Sequence, residues 1–146
     1  TTEIYTLSLH DALPIYKLGL DRRVHFIGWV DHDRIGQFYQ EASVFVMPSR
    51  WPEPFGMVGL EAMQNGLPVV AFTVGGIPDW LTDAKTGFLI PEQDTVGFAN
   101  ALDRLLSDRD SARRLGQNGH DRVKEKYSFQ NYMEELEKIF HEGLNL

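Results

Sequence analysis

Several features are missing from the sequence, and each absence excludes a class of protein. The 146 residues include no cysteine, which excludes disulfide bonds and thiolate metal sites. No apolar run approaches the length that spans a bilayer, and no histidine-rich spacing indicates a metal site. Only 14 Lys and Arg residues stand against 21 Asp and Glu, and the net charge of -7 argues against nucleic-acid binding.

The first fifteen residues differ in kind from the rest. They lack the basic region and cleavage site of a signal peptide, and they match, codon by codon, the translation of a common sequencing adapter. We therefore interpret residues 1–15 as a foreign segment on a gene fragment, and we exclude His10 and Asp11 from the functional residues. Because such a segment was not selected to fit, we expect Leu9, Leu13 and Ile15 to stay outside the main core.

The remaining residues have the composition of one globular domain, in which short apolar runs alternate with amphipathic segments. The apolar runs predict buried strands at 24–28, 43–47, 68–72 and 87–90. The other segments predict helices at 35–42, 56–66, 78–83, 98–106, 111–126 and 131–140, the first with Asp31 or Asp33 as its N-cap. Alternation of strand and helix at this spacing predicts a doubly wound α/β fold with a parallel sheet.

The segment from Trp51 to Met63 is the most informative in the chain, because it places two carboxylates eight positions apart across the start of a helix. Pro52 and Pro54 disfavour helix before Phe55, so Glu53 belongs to a loop and Glu61 to the helix. That helix is apolar on nearly all sides, and an ionised Glu61 within it needs a partner. Two acids in this arrangement can serve one ligand.

The other candidate residues also follow predicted strands, at the sheet edge where doubly wound folds bind ligands. Ser49 and Arg50 follow the strand at 43–47, and the pair Gly75-Gly76 follows the strand at 68–72. The glycines allow a close backbone approach, and the helix that begins after them can direct free N–H groups at an anion. We interpret Trp29 and Trp80 as core or interface aromatic residues.

From the paired glutamates to Gly75-Gly76 and Pro78, the chain closely resembles the retaining glycosyltransferases of family 4, which have the GT-B architecture. The resemblance covers roughly residues 18–142. It implies a truncated Rossmann-like sheet, the C-terminal half of a donor-binding domain, over 16–126, followed by a C-terminal helix at 127–146. The strands near 43–47, 68–72 and 87–90 should then pair in parallel, with 24–28 either unpaired or shifted beside 43–47.

The resemblance also implies an activity, the transfer of a hexose-type sugar from a nucleoside diphosphate sugar to a glycan, lipid or small molecule. Glu61 would bind the ribose hydroxyls, and Glu53 would act at the donor sugar as the catalytic residue. The backbone amides of Phe55, Gly56 and Met57 would face sugar or phosphate. Ser49, Arg50, Gly75 and Gly76 complete the expected donor site, and no metal or other cofactor is expected.

Other parts of the family pattern are missing, namely the Arg and Lys that hold the diphosphate and the N-terminal acceptor domain. We therefore expect the fragment to be inactive alone. The resemblance also implies a cytoplasmic parent protein, or one that is peripheral at the inner membrane through the missing N-terminal domain. A non-catalytic nucleotide-sugar-binding or scaffold domain of the same fold remains an alternative. A nicotinamide-dependent oxidoreductase is disfavoured, because no G-x-G-x-x-G follows a predicted strand.

Overall fold

The computed structural model describes residues 14–144. After a helical turn at 14–17, nine elements follow in chain order. They are α1 (His32–Glu41), β1 (Phe45–Met47), α2 (Met57–Gln64), β2 (Val69–Phe72), α3 (Ile77–Trp80), β3 (Gly87–Ile90), α4 (Thr95–Ser107), α5 (Arg109–Lys126) and α6 (Phe129–Leu144). The prediction that Leu9 and Leu13 stay out of the core lies outside the described residues, whereas Ile15 is half-buried.

The chain divides into two compact units after Gln37. In the described part of the first unit, the predicted strand at 24–28 is wrong, since these residues form neither strand nor helix. Phe26 and Ile27 are 50% and 57% exposed, and Gly28 has a left-handed φ of 76°. A strand needs a neighbour for its backbone hydrogen bonds, and no described strand pairs with this segment.

The second unit contains a three-stranded sheet in the order β1-β2-β3, with both pairs parallel. Val46 lies opposite Val70, which lies opposite Phe88. All four residues of the central strand β2 are buried, as a strand covered on both faces requires. The parallel pairing predicted for 43–47, 68–72 and 87–90 is therefore confirmed, although β1 begins only at Phe45.

Helices cover this sheet, and several begin at carboxylate caps. The α4 helix packs on β2, where the rings of Phe72 and Phe98 lie 4.9 Å apart. The Asp94 carboxylate accepts a hydrogen bond from Gly97 N at the start of α4, and Asp108 accepts one from Ser111 N at the start of α5. That interaction with Ser111 lowers the pKa of Asp108.

The other predicted helices are present with shifted ends. The α2 helix ends by Gly66, whose φ of 76° is left-handed, as its role in stopping the helix predicts. The short helix predicted at 78–83 lies at Ile77–Trp80 instead. Because α1 begins at His32, Asp31 precedes the helix and Asp33 lies inside it, so the second cap assignment is wrong. No helix among residues 14–144 is long and apolar enough to cross a membrane.

Helix α5 approaches α2 closely through its glycines. A Cβ on Gly116 would lie 2.0 Å from the carbonyl oxygen of Gly66, and one on Gly119 would lie 3.3 Å from Met63 Cγ. The core beside this contact includes Met63 at 0% exposure and Leu115 at 5%. Helix α6 differs, because none of its described side chains is buried.

We expect Gly116→Ala to destabilise the chain by about 1–3 kcal/mol, because the added methyl group overlaps a backbone carbonyl that cannot move alone. The matched control is Gly143→Ala in α6, where a Cβ meets no heavy atom within 4 Å. That control should stabilise the chain by up to about 1 kcal/mol through helix propensity. Urea unfolding of both variants measures the difference, and equal stabilities would contradict the close approach.

Candidate functional site

The loop that follows β1 carries five of the predicted site residues, namely Ser49, Arg50, Glu53, Phe55 and Gly56. Ser49 is half-buried and Arg50 is exposed, and the chain then runs through Glu53, which is half-buried, to Gly56 at the start of α2. Gly56 has φ 81° and ψ 52°, the left-handed conformation that favours glycine. There is also no room for a side chain at Gly56: a Cβ there would lie 2.8 Å from the methyl group of Met47 and 3.4 Å from Glu53 Cγ.

The loop that follows β2 is in direct backbone contact with this first loop. Gly76 N donates a hydrogen bond to the carbonyl oxygen of Glu53 at 2.8 Å. A Cβ on Gly75 would lie 2.1 Å from the same oxygen, and one on Gly76 would lie 2.4 Å from the carbonyl oxygen of Pro54. Only glycine fits at either position, so the structure brings Glu53, Gly56, Gly75 and Gly76 together at the carboxyl edge of the sheet.

Trp80 contacts the residues at the start of α2 through a hydrogen bond and through ring packing. The side chain is fully buried, and its indole Nε1 donates to the carbonyl oxygen of Phe55 at 2.5 Å. The ring also fills the space beside Gly59, where a Cβ would lie 2.2 Å from it. The sequence predicted Trp29 and Trp80 in the core or at an interface. The structure places Trp80 in the core, whereas Trp29 is 87% exposed. The bond from Trp80 to Phe55 was missed, although a buried indole N–H needs an acceptor.

The carbonyl groups at the end of α3 are held in turn by α5. Arg122 Nε donates to the carbonyl oxygen of Trp80 at 2.9 Å, and Arg122 Nη2 donates to that of Asp79 at 3.2 Å. The Tyr127 hydroxyl also donates to Asp79 O, at 3.0 Å. A cation at a helix C-terminus satisfies carbonyls that have no partner inside the helix. The position of Trp80 therefore depends on α5 as well as on the sheet.

Glu61 lies one turn after the start of α2 at Met57, and its side chain is half-buried. It has a hydrogen-bond partner from another helix. The Tyr39 hydroxyl donates to Glu61 Oε2 at 3.1 Å. Burial of the phenol, and then the nearby charge of Glu61, raise the pKa of Tyr39 to about 12, so the hydroxyl remains a donor. Sequence reasoning counted Tyr39 among the apolar residues of α1 and missed this bond, although a buried tyrosine hydroxyl normally has a partner.

A cleft of about 550 Å³ opens beside Glu61. From α2 and the residues before it, the lining includes Phe55, Met57, Leu60 and Glu61; from α5, α6 and the turn between them, it includes Tyr127, Phe129 and Tyr132. The structure thus places Phe55, Met57 and Glu61 on this cleft, whereas Glu53, Gly75 and Gly76 form the neighbouring contact at the sheet edge. Gly56 and Met57 join the two groups along the chain. Residues 14–144 contain no cluster of three or more metal-binding side chains.

The sequence matches a known family. The model of the glycosyl transferases group 1 family matches residues 12–122, which is most of the chain. The chain belongs to this family. The predicted resemblance to GT-B glycosyltransferases is therefore confirmed at the level of family and fold, whereas the adapter origin of residues 1–15 stays a prediction.

Known relatives and solved structures agree with this assignment. A glycosyltransferase of Methanocaldococcus jannaschii is 36% identical over 125 residues, which cover 86% of this chain and 32% of that protein. The structure of sucrose-phosphate synthase from Thermosynechococcus elongatus matches with a TM-score of 0.82 and 36% identity, over 90% of this chain and 33% of that one. Anabaena HepE, solved in complex with UDP and glucose, matches with a TM-score of 0.83 and 26% identity, over 91% and 36%. The chain thus spans about a third of the length of these three proteins.

We expect Gly75→Ala to loosen the loop of Glu53, because its Cβ overlaps the Glu53 carbonyl group. Gly66→Ala is the matched control: its φ is also positive, but no heavy atom lies within 4 Å of the added Cβ. Both variants should lose about 1–2 kcal/mol from the left-handed backbone, and Gly75→Ala at least about 1 kcal/mol more.

Hydrogen exchange separates the two effects locally. The Gly76 amide, which bonds to Glu53 O, should exchange faster in Gly75→Ala, whereas its exchange rate should be unchanged in Gly66→Ala. Equal losses of stability with no change at the Gly76 amide would show that the two loops are not held together by this contact.

Proposed function

We propose that this domain binds the nucleoside diphosphate sugar of a retaining, family 4 glycosyltransferase of hexosyltransferase type. The observation that carries the proposal is the backbone contact between Glu53 and Gly76, which fixes the main chain of Glu53 just before the N-terminus of α2. The complex of HepE with UDP and glucose supports a nucleotide-sugar donor for a domain of this fold. Since the chain spans about a third of its relatives, activity is proposed for a complete protein that carries the domain.

In this proposal the diphosphate is bound by backbone groups. The first turn of α2 has N–H groups without helical acceptors, and the helix dipole adds positive potential there. Gly75 and Gly76 carry no side chain, so the loop that follows β2 lies directly against the backbone of Glu53 and Pro54, just before this helix start. Such fixed donors stabilise the charge on a departing diphosphate without a metal ion, and we propose that no metal cofactor takes part.

The two glutamates would have separate roles. A carboxylate can accept hydrogen bonds from two vicinal hydroxyls, which is the role proposed for Glu61 at the ribose. Glu53 would orient the donor sugar and stabilise the positive charge of an oxocarbenium-like transition state, while the acceptor attacks from the face that the diphosphate leaves. The anomeric configuration is then retained.

The overall proposal is tested by incubating the complete protein with UDP-, ADP- and GDP-hexoses and candidate acceptors, and following product by NMR. We expect release of nucleoside diphosphate and a product with the anomeric configuration of the donor. Tight binding of a nucleotide sugar without turnover would favour the non-catalytic alternative. Inverted configuration would contradict the mechanism.

For Glu61→Ala in the complete protein, we expect binding of the nucleoside diphosphate to weaken by about 1–3 kcal/mol, the usual cost of a lost hydrogen bond to a charged group. Isothermal titration calorimetry with UDP measures this. The control Glu137→Ala removes the same charge from an exposed position on α6 and should leave the affinity unchanged. Equal affinities of Glu61→Ala and the control would remove Glu61 from the site.

For Glu53→Gln we expect kcat to fall more than the affinity for the donor, because the charge that Glu53 stabilises develops in the transition state. Steady-state kinetics gives kcat and KM separately, and Glu137→Gln serves as the isosteric control. A raised KM with unchanged kcat would show that Glu53 only binds the donor.

A further inference from the structure

Tyr39 lies near the end of α1 and is only 7% exposed. Its ring packs against that of Phe45 in β1, with centroids 6.0 Å apart and planes inclined by 60°. A phenylalanine would satisfy this packing equally well. The hydroxyl is therefore the part of Tyr39 that needs an explanation, since a buried hydroxyl without a partner is costly.

The partner of this hydroxyl is the carboxylate of Glu61, 22 residues later in the chain. The bond occupies Glu61 Oε2 and fixes the orientation of the carboxylate plane. Within residues 14–144 the structure shows no donor to the second oxygen, Oε1, and Glu61 borders the 550 Å³ cleft. One carboxylate oxygen is thus bonded to Tyr39, and the other has no donor among the described residues.

We propose that Tyr39 is a positioning residue for the donor nucleotide, acting through Glu61 to hold its carboxylate in the orientation that the ribose hydroxyls require. This inference rests on the proposed function of Glu61 and goes beyond it by assigning a role to a residue of α1. It follows that the loss of the hydroxyl weakens binding only through the contact between Glu61 and ribose. Burial and the charge of Glu61 raise the pKa of Tyr39 to about 12, which agrees with a permanent donor.

A purely structural role predicts something different. If the bond only tied α1 to α2, its loss would lower stability and affect every ligand of the domain to the same extent. If the bond orients Glu61, its loss acts on ligands with ribose hydroxyls and has no effect once Glu61 is gone. The two roles are therefore separated by changing the ligand and by a double-mutant cycle.

The experiment measures the affinity of the complete protein for UDP, ADP and GDP by calorimetry, and continues with the tightest of them and its 2′-deoxy counterpart. We expect Tyr39→Phe to weaken binding of the ribonucleotide about three- to tenfold, and of the deoxynucleotide less. The ratio of the two affinities does not depend on the fraction of folded protein, so reduced stability cannot imitate the effect. Tyr16→Phe, at a 64% exposed tyrosine in the first unit, controls for loss of a hydroxyl and should change neither affinity.

The double variant and the kinetics complete the test. In the Glu61→Ala background, Tyr39→Phe should have no further effect on affinity, and in an otherwise unaltered enzyme it should raise KM for the donor with kcat nearly unchanged. Equal losses for both nucleotides, or additive effects of the two substitutions, would overturn the role of Tyr39 while leaving Glu61 and the proposed function intact. If Glu61→Ala alone leaves the affinity unchanged, the ribose contact fails and the role of Tyr39 fails with it.

Discussion

The contact between the Glu53 carbonyl group and the Gly76 amide is the constraint on which the site depends. It joins the loops that follow two adjacent parallel strands, and it forms because neither Gly75 nor Gly76 has a side chain to hold the loops apart. The contact also helps to position the start of α2, since the loop of Glu53 leads directly into Gly56, the left-handed residue before the helix. Without this contact the loop of Glu53 would lose its direct hydrogen bond to the loop that follows β2.

Further hydrogen bonds connect the residues before α2 to α3 and α5. Trp80 donates a hydrogen bond to Phe55, and the carbonyl groups at the end of α3 accept hydrogen bonds from Arg122 of α5 and from Tyr127, which follows α5. Each step is a hydrogen bond between neighbouring segments of the fold, so the fold itself determines where the residues before α2 lie. Groups that the fold holds in place lose less freedom on binding, which favours the charge stabilisation by backbone amides that we propose.

The sequence predicted the sheet and part of the site, for reasons that particular residues make clear. The run Val69–Phe72 is apolar throughout, which indicates burial on both faces, and the structure agrees. The run at 24–28 looks similar but has no partner strand within residues 14–144, which periodicity alone does not reveal. The meeting of Glu53 with Gly75-Gly76 was predictable because carboxyl ends of parallel strands share an edge. The Tyr39 bond was not, because the hydrophobic pattern treats tyrosine as an apolar residue and is blind to its hydroxyl.

The packing of Trp80 against Gly59 has a consequence for how this domain can change during evolution. Any side chain at position 59 collides with the indole ring, so glycine is required there as long as tryptophan occupies position 80. A smaller residue at position 80 would free that space but would remove the N–H group that bonds to Phe55. A substitution at position 59 therefore requires an earlier substitution at position 80. The same residue at position 59 collides with the ring while Trp80 is present, and it finds space once a smaller residue has replaced Trp80.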